Sequence, residues 1–367
     1  MRFLGFEGEW ERKKLGEIAE IVTGSTPPTN DSSFYNGDFL FVSPSDIQTH
    51  RHISQTKTTL TEKGFKIGRK IRSGSSLFVC IGSTIGKVGQ VKKECVTNQQ
   101  INSVISDDNN DDNFIFSLLE HNSLKIKELS AEQAVPIINK TTFSNFKIII
   151  PNLPEQTKIA LFLLHIDKRI TTQMKIIEEL EKIRFGLRFQ IFKQLKNDNV
   201  EVKPIKDLIN YEQPTKYLVI DENYSQNPLL TPVLTANKAF VLGYTDENFG
   251  IYNKGNCIIF DDFTMDMKYV TFSFKVKSSA IKILKPKSDI NLRYVFEYLL
   301  SLNLQSGEHK RHYISEIEFK KVPLLAKEYQ NSIASLFSSI DNKIIVEKSL
   351  LSAYQQQKKY LLQNLFI

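Results

Sequence analysis

The chain has 367 residues, 41% hydrophobic and 24% charged, which excludes wholesale disorder, collagen-like and fibrous classes and suits two or three domains. No apolar run approaches about 18 residues, the first ten residues lack a signal-type core, and Cys80, Cys95 and Cys257 form no CxxC pair, so no membrane span, secretory leader, zinc ribbon or disulfide scaffold is expected. The net charge of +7 suits a polyanion binder without specifying one, and a reducing cytoplasm is the expected compartment.

From the N-terminus, short β-type runs at 39–42, 76–79 and 147–150 are separated by Gly, Pro, Asn and Ser, and a helix is expected near 114–129. Between them, Gly82-Ser-Thr-Ile-Gly86-Lys87-Val88 looks like a phosphate loop. Its glycines are one residue too close, and Val88 stands where a magnesium-binding hydroxyl belongs. A flexible loop after a strand is the better reading, in which backbone N–H groups, Ser83, Thr84 and Lys87 remain donors for a polyanion.

Pro151 and Pro154 mark the entry to a long amphipathic helix. Leu163, Ile166, Ile170, Ile177, Leu180, Leu187 and Ile191 recur at alternating three- and four-residue steps, with Gln173 and Arg184 as polar breaks. That spacing keeps one stripe facing a partner helix. A polar break at 196–199 follows, then β-type runs at 256–260, 271–276 and 280–284 and a helix near 292–302. A second long helix carries Phe337, Ile340, Ile344, Leu351, Tyr354, Leu361 and Leu365, with breaks at Glu347 and Lys358.

The two helices repeat one another. Gln156, Ile159, Ala160, Ile166 and Asp167 recur as Gln330, Ile333, Ala334, Ile340 and Asp341, always 174 residues later, and the polar breaks keep that offset. Seams with breaks in register predict that the helices pair with each other. About 33 seam residues make a rod on the order of 50 Å long, which suits a spacer or docking surface better than a catalytic pocket. The expected fold is therefore α+β or α/β. Two globular domains and two long helices that pair with each other are expected, in a pseudo-two-fold internal repeat. The expected boundaries are 1–152, 153–197, 198–323 and 324–367.

Motifs for chemistry are sparse. There is no Asn/Asp-Pro-Pro-aromatic tetrapeptide of adenine methyltransferases and no His-Glu-x-x-His. Glu308-His309-Lys310 holds part of a nuclease triad with only Asp289 upstream, and Asp261-Asp262 reads as a turn or base-contact device rather than a metal site. Basic and amide clusters remain. Candidate DNA contacts in the first half are Arg69, Lys70, Arg72, Ser83, Thr84, Lys87, Asn98, Gln99 and Gln100. In the second they are Asp262, Thr264, Lys268, Lys310, Arg311 and Tyr313. Arg and Lys neutralise phosphates, while Asn, Gln and Arg can read base edges.

The chain resembles the specificity subunit of type I restriction–modification systems. The resemblance is carried by Trp10-Glu-Arg-Lys-Lys-Leu-Gly-Glu-Ile, Gly24-Ser-Thr-Pro-Pro28, Phe39-Leu-Phe-Val-Ser-Pro-Ser-Asp-Ile47, the Gly82 loop and Pro151-Asn-Leu-Pro-Glu-Gln-Thr-Lys-Ile-Ala160. In the second half, Phe260-Asp-Asp-Phe-Thr264 and Lys268-Tyr-Val270 continue it, although Glu328-Tyr-Gln330 replaces Pro-Glu-Gln and no second glycine loop is evident. The resemblance implies two target recognition domains, each reading one half of a split double-stranded DNA target. It implies that the recognition domains are separated by two long antiparallel helices, a coiled coil that also docks two methyltransferase (M) subunits, joined by restriction/translocase (R) subunits. Adenine methylation and cleavage then belong to those partners, which use S-adenosylmethionine, ATP and magnesium. The resemblance thus implies a non-catalytic subunit that binds no cofactor or metal and no membrane. The alternative is a self-sufficient DNA nuclease or methyltransferase with an unrecognised site.

Overall fold

The computed structural model describes every residue except 1, 49, 131–134, 199, 238, 288, 306–310 and 367. Lys310 and the Glu308-His309-Lys310 tripeptide therefore lie outside the described residues. The chain divides into two compact units, Met1–Ile176 with Lys348–Ile367, and Ile177–Glu347.

In the first unit a five-stranded sheet runs in the order Ala19–Thr23, Ile101–Ser106, Ser76–Val79, Val88–Val91, His52–Ile53. A four-stranded sheet follows the order Thr58–Leu60, Tyr35–Val42, Cys95–Thr97, Lys70–Ile71. The helix Asp112–Lys127 supplies Phe114, Ile115, Leu118 and Leu119 to a core shared with Phe78 and Val104. Asp111 starts this helix by accepting from the amides of Asn113 and Phe114.

The second unit has a four-stranded sheet, Ile209–Glu212, Ile281–Pro286, Cys257–Asp261, Met267–Val270, and a three-stranded one, Val241–Thr245, Thr231–Leu234, Lys275–Val276. The expected strand over 271–276 is broken. Met267–Val270 closes a hairpin on Cys257–Phe260, and the chain then crosses to pair Lys275–Val276 in parallel with Val233–Leu234. Local β-propensity cannot register such a change of sheet. The helix Leu292–Ser301 is started by Asn291, which accepts from the amide of Tyr294.

The long helices span Leu153–Asn197 and Lys327–Leu365. Each repeat opens with a buried glutamine, and the structure shows what it does. Gln156 accepts from the amide of Asp111 (3.1 Å) and donates to the Pro151 carbonyl (3.0 Å). Gln330 accepts from the amide of Asn291 (2.8 Å) and donates to the Leu325 carbonyl (2.8 Å). In both units the glutamine ties the head of a long helix to the cap of the domain helix. Only a side chain with both a donor and an acceptor can make both bonds.

Both seams are interior. In the first unit Leu163, Ile166 and Ile170 join Leu361 and Leu365 in one core, with Leu351 and Tyr354 half-buried. In the second, Ile177, Phe337 and Ile344 are buried, and Leu180, Leu187, Ile191 and Ile340 are half-buried. Ion pairs fix the register. Lys358 Nζ lies 2.7 Å from Asp167 in the first unit, and Arg184 lies 2.6 Å from Asp341 in the second. Asp341 follows Asp167, and Lys358 follows Arg184, by 174 residues. This is one antiparallel pairing made twice, and it explains why the polar breaks at 184 and 358 interrupt otherwise apolar seams.

Around each aspartate the wiring differs. Arg51 pairs with Asp167 at 2.8 Å, is steadied by Gln90 and Asn113, and lies 4.2 Å from the centre of the Phe116 ring. Lys358 also pairs with Glu120. In the second unit Arg293 pairs with both Asp341 and Glu297, and Arg188 reaches Glu297 at 2.7 Å. Burial pushes the Asp341 carboxyl up, but hydrogen bonds from Arg293 and Arg184 outweigh it and hold it below the ordinary carboxylate range.

Candidate nucleic-acid interface

In the first unit the surface begins with Gly24, where the strand Ala19–Thr23 ends. A Cβ on this residue would lie 2.0 Å from the Asn98 carbonyl oxygen, so only glycine allows the approach. Gly24 donates to the Ile101 carbonyl and Ser25 to that of Thr97, which lays residues 24–26 along the 97–101 segment. Thr26 then donates to Gln99 (2.6 Å), and Asn98 donates to Gln100 (3.0 Å). From the other side, the Arg69 amide donates to Ser25 Oγ and its guanidinium to the Thr23 carbonyl. Lys70 is exposed beside it, its ammonium 5.2 Å from the Phe65 ring centre.

Residues from three parts of the sequence thus share one surface: Arg69 and Lys70, the 98–100 amides, and the Ser25–Thr26 hub. The hub was not among the expected contacts. Its signal was the glycine before two hydroxyl residues, legible only once the close approach is seen. The Gly82 loop adjoins this surface, since a Cβ on Gly82 would meet Gln100 Nε2 at 3.5 Å. Its backbone is largely spent within the fold. The amides of Gly82, Ile85, Gly86 and Lys87 donate to the carbonyls of Pro136, Gly82, Val79 and Thr84. The loop therefore offers side chains, with Ser83 and Lys87 exposed and Thr84 half-buried. It does not present the backbone cradle expected from its glycines.

Arg72 stays exposed but is bonded within the fold. Its guanidinium forms a two-pronged bond to Asp112 (2.6 and 2.8 Å) and donates to the carbonyls of Ser73 and Ser106. Those bonds fasten the chain to the start of the domain helix, so Arg72 is a structural brace.

The second unit presents a hairpin tip at 262–266. Asp261 Oδ1 accepts from the amides of Phe263 and Thr264, leaving both side chains exposed. Asp262 points inward and is 1% exposed. Its Oδ1 accepts from the amides of His312 and Tyr313 at 3.0 and 2.8 Å, and its Oδ2 lies 3.6 Å from the buried Lys282 ammonium. This anchor draws the 311–313 segment to the hairpin, beside exposed Arg311 and half-buried Lys268. Asp262 and Tyr313, each 1% exposed, are thereby corrected from base contacts to scaffold. Thr264, Lys268 and Arg311 remain at the surface.

Among the described residues, no group of three or more His, Cys, Asp or Glu could hold a metal ion, and no helix is long and apolar enough to cross a membrane.

Residues 7–182 match the family model for the type I restriction modification DNA specificity domain. The specificity subunit of the Escherichia coli type I restriction enzyme EcoR124I/EcoR124II is 47% identical over 135 residues, covering 35% of this chain and 33% of that protein. That of the Methanocaldococcus jannaschii enzyme MjaIX is 28% identical over 204 residues, covering 54% of this chain and 46% of that protein. The chain thus spans a third to just under half of these relatives' length. The fold extends further. It resembles the S subunit of a type I system from M. genitalium with a TM-score of 0.68 at 15% identity, covering 100% of this chain and 98% of that one.

Proposed function

We propose that this chain belongs to the type I restriction–modification specificity family and reads a bipartite double-stranded DNA target, one half-site per globular unit. Residues 1–152 and 198–323 act as the two recognition domains, and 153–197 and 324–367 as the helices that hold them in register. One observation carries the reading. The long helix and the domain helix it is tied to are built twice, the long helices at an offset of 174 residues, and each unit gathers its own exposed cluster of basic and polar side chains. Two similar modules with different loops suit two half-sites of different sequence.

In this reading the phosphate contacts are Arg69, Lys70 and Lys87 in the first domain and Lys268 and Arg311 in the second. Base readout falls to Asn98, Gln99 and Gln100, whose amides match the donor and acceptor pattern of base edges, with Ser83, Thr84 and Thr264 alongside. The paired helices dock two M subunits, and R subunits complete the assembly. S-adenosylmethionine, ATP and magnesium are used by those partners in the cytoplasm, and this chain contributes binding alone.

Two measurements test it. The purified chain with S-adenosylmethionine, ATP and magnesium is expected to leave DNA unmethylated and uncut, and adding a cognate methyltransferase is expected to produce sequence-dependent adenine methylation. Robust methyl transfer by the chain alone would favour a self-sufficient enzyme instead. For the contacts, Lys87→Ala should weaken binding and flatten the plot of log affinity against log salt by about 0.9, the value for one lost phosphate contact. Arg72→Ala should lower stability and leave that slope unchanged. The reverse pattern would move the interface away from the Gly82 loop.

A further inference from the structure

The two units differ sharply at one equivalent place. Phe366 and Phe192 are 174 residues apart and hold matching positions, each buried at 6% and 5% exposure. Each packs on the domain helix of its unit. Phe366 lies 5.4 Å from the Phe114 ring, and Phe192 lies 5.6 Å from the Tyr294 ring. In the first unit Phe366 is covered from two further sides. Trp10 meets it edge-on at 6.5 Å and 89°, and His121 stacks on it at 5.0 Å.

The second unit has neither ring at the matching positions, and Tyr298 of the domain helix meets Phe192 edge-on instead, at 5.4 Å and 72°. Strand register fixes the correspondence. Lys14 pairs with Lys147 as Pro204 pairs with Lys321, so Trp10 is matched by Val200. The domain helices correspond with an offset of 180, from Asp111 to Asn291 and from Phe114 to Tyr294, so His121 is matched by Ser301. Two large rings have become two small side chains. Where they would sit is a groove of about 730 Å³, lined by both Val200 and Ser301.

Phe192, Tyr298 and Leu302 line this groove, and Phe189 and Val202 also line it while remaining 55% and 45% exposed. Lys193, Lys196 and Lys321 also border it, all exposed, and among the described residues no acidic side chain does. An apolar concavity of this size with a single-sign rim marks a binding surface.

We propose that this groove receives an acidic segment of a partner protein that inserts an aromatic side chain where the first unit uses its own Trp10. The first unit supplies the template for the contact, an indole edge against a buried phenylalanine. The three lysines set the charge of the segment around it. A nucleic acid would instead stack on the exposed Phe189 ring, and the oligonucleotide titration separates the two occupants.

The test titrates the full chain into a fluorescein-labelled synthetic peptide with one tryptophan flanked by aspartate and glutamate. Parallel titrations use the peptide with alanine for tryptophan, a lysine-flanked version and a labelled single-stranded oligonucleotide. Saturable binding of the acidic peptide is expected. It should weaken by about tenfold on loss of the tryptophan, as one aromatic contact implies. Val200→Trp, which rebuilds the first unit's filling, should weaken it similarly, as should the surface variant K193E/K196E. Ser301→His is a second filling variant should the first misfold. No binding of the acidic peptide, equal binding of the lysine-flanked peptide, or binding unaffected by either filling variant would overturn the proposal. So would oligonucleotide binding that the filling variants abolish.

Discussion

Replacing Asp167 by alanine is expected to cost the first unit about 3–5 kcal/mol, the range for breaking a buried ion pair from one side. The Arg51 and Asp167 side chains are 2% and 8% exposed. Removing the carboxylate leaves the guanidinium against Phe116 with no counter-charge, and leaves Lys358 with Glu120 alone. Trp10 is the only tryptophan and packs on the first unit's core, so denaturant unfolding followed by its fluorescence reads this unit. Adding Arg51→Met to Asp167→Ala should recover much of the loss, because an apolar replacement of both partners removes the stranded charge. Asp341→Ala should cost clearly less than Asp167→Ala. Asp341 and its partner Arg184 are 24% and 34% exposed, and Arg293 keeps Glu297 as a partner. Equal losses at the two aspartates, or no recovery in the double variant, would contradict this account of the two hubs.

Much of the architecture was legible because it is written in helical periodicity. The seams from Leu163 and Phe337 recur at the spacing of a buried helix face, and the 174-residue offset needed no knowledge of the domains. The role of the polar breaks was half legible. Arg184 and Lys358 stood out as interruptions, but their partners Asp341 and Asp167 are remote in sequence. Arg51 is not legible, since a lone arginine in a loop carries no sign of the carboxylate 116 residues away that it meets.

The candidate interface divides along the same line. Asn98 to Gln100 and Arg69–Lys70 were visible as clusters of suitable chemistry. That they share a surface depends on Gly24 and on long-range hydrogen bonds through Ser25 and Thr26. Asp262 and Tyr313 had suitable chemistry and proved buried. A polar residue at a hairpin tip faces solvent or interior according to the turn it makes, and here Asp261 makes the exposed turn while Asp262 caps amides inside. The groove beside Phe192 was invisible for a further reason. Its signal is a pair of small residues, Val200 and Ser301, meaningful only against Trp10 and His121 in the other copy.

Exchanging one recognition domain is expected to have the largest effect on function. In the proposed reading each domain carries its own sheets and loop cluster, so replacing residues 1–152 with the corresponding domain of another such subunit leaves the second reader intact. The seam residues, Gln330 and the Asp341 hub stay untouched. The half-site assigned to the first domain should change completely, while the other half keeps its sequence.

The most direct measurement is a genome-wide map of methylated adenines, made with the cognate methyltransferase and either the original or the exchanged chain. The account predicts two maps whose targets share one half-site and differ in the other. Targets that change in both halves, or in neither, would contradict it.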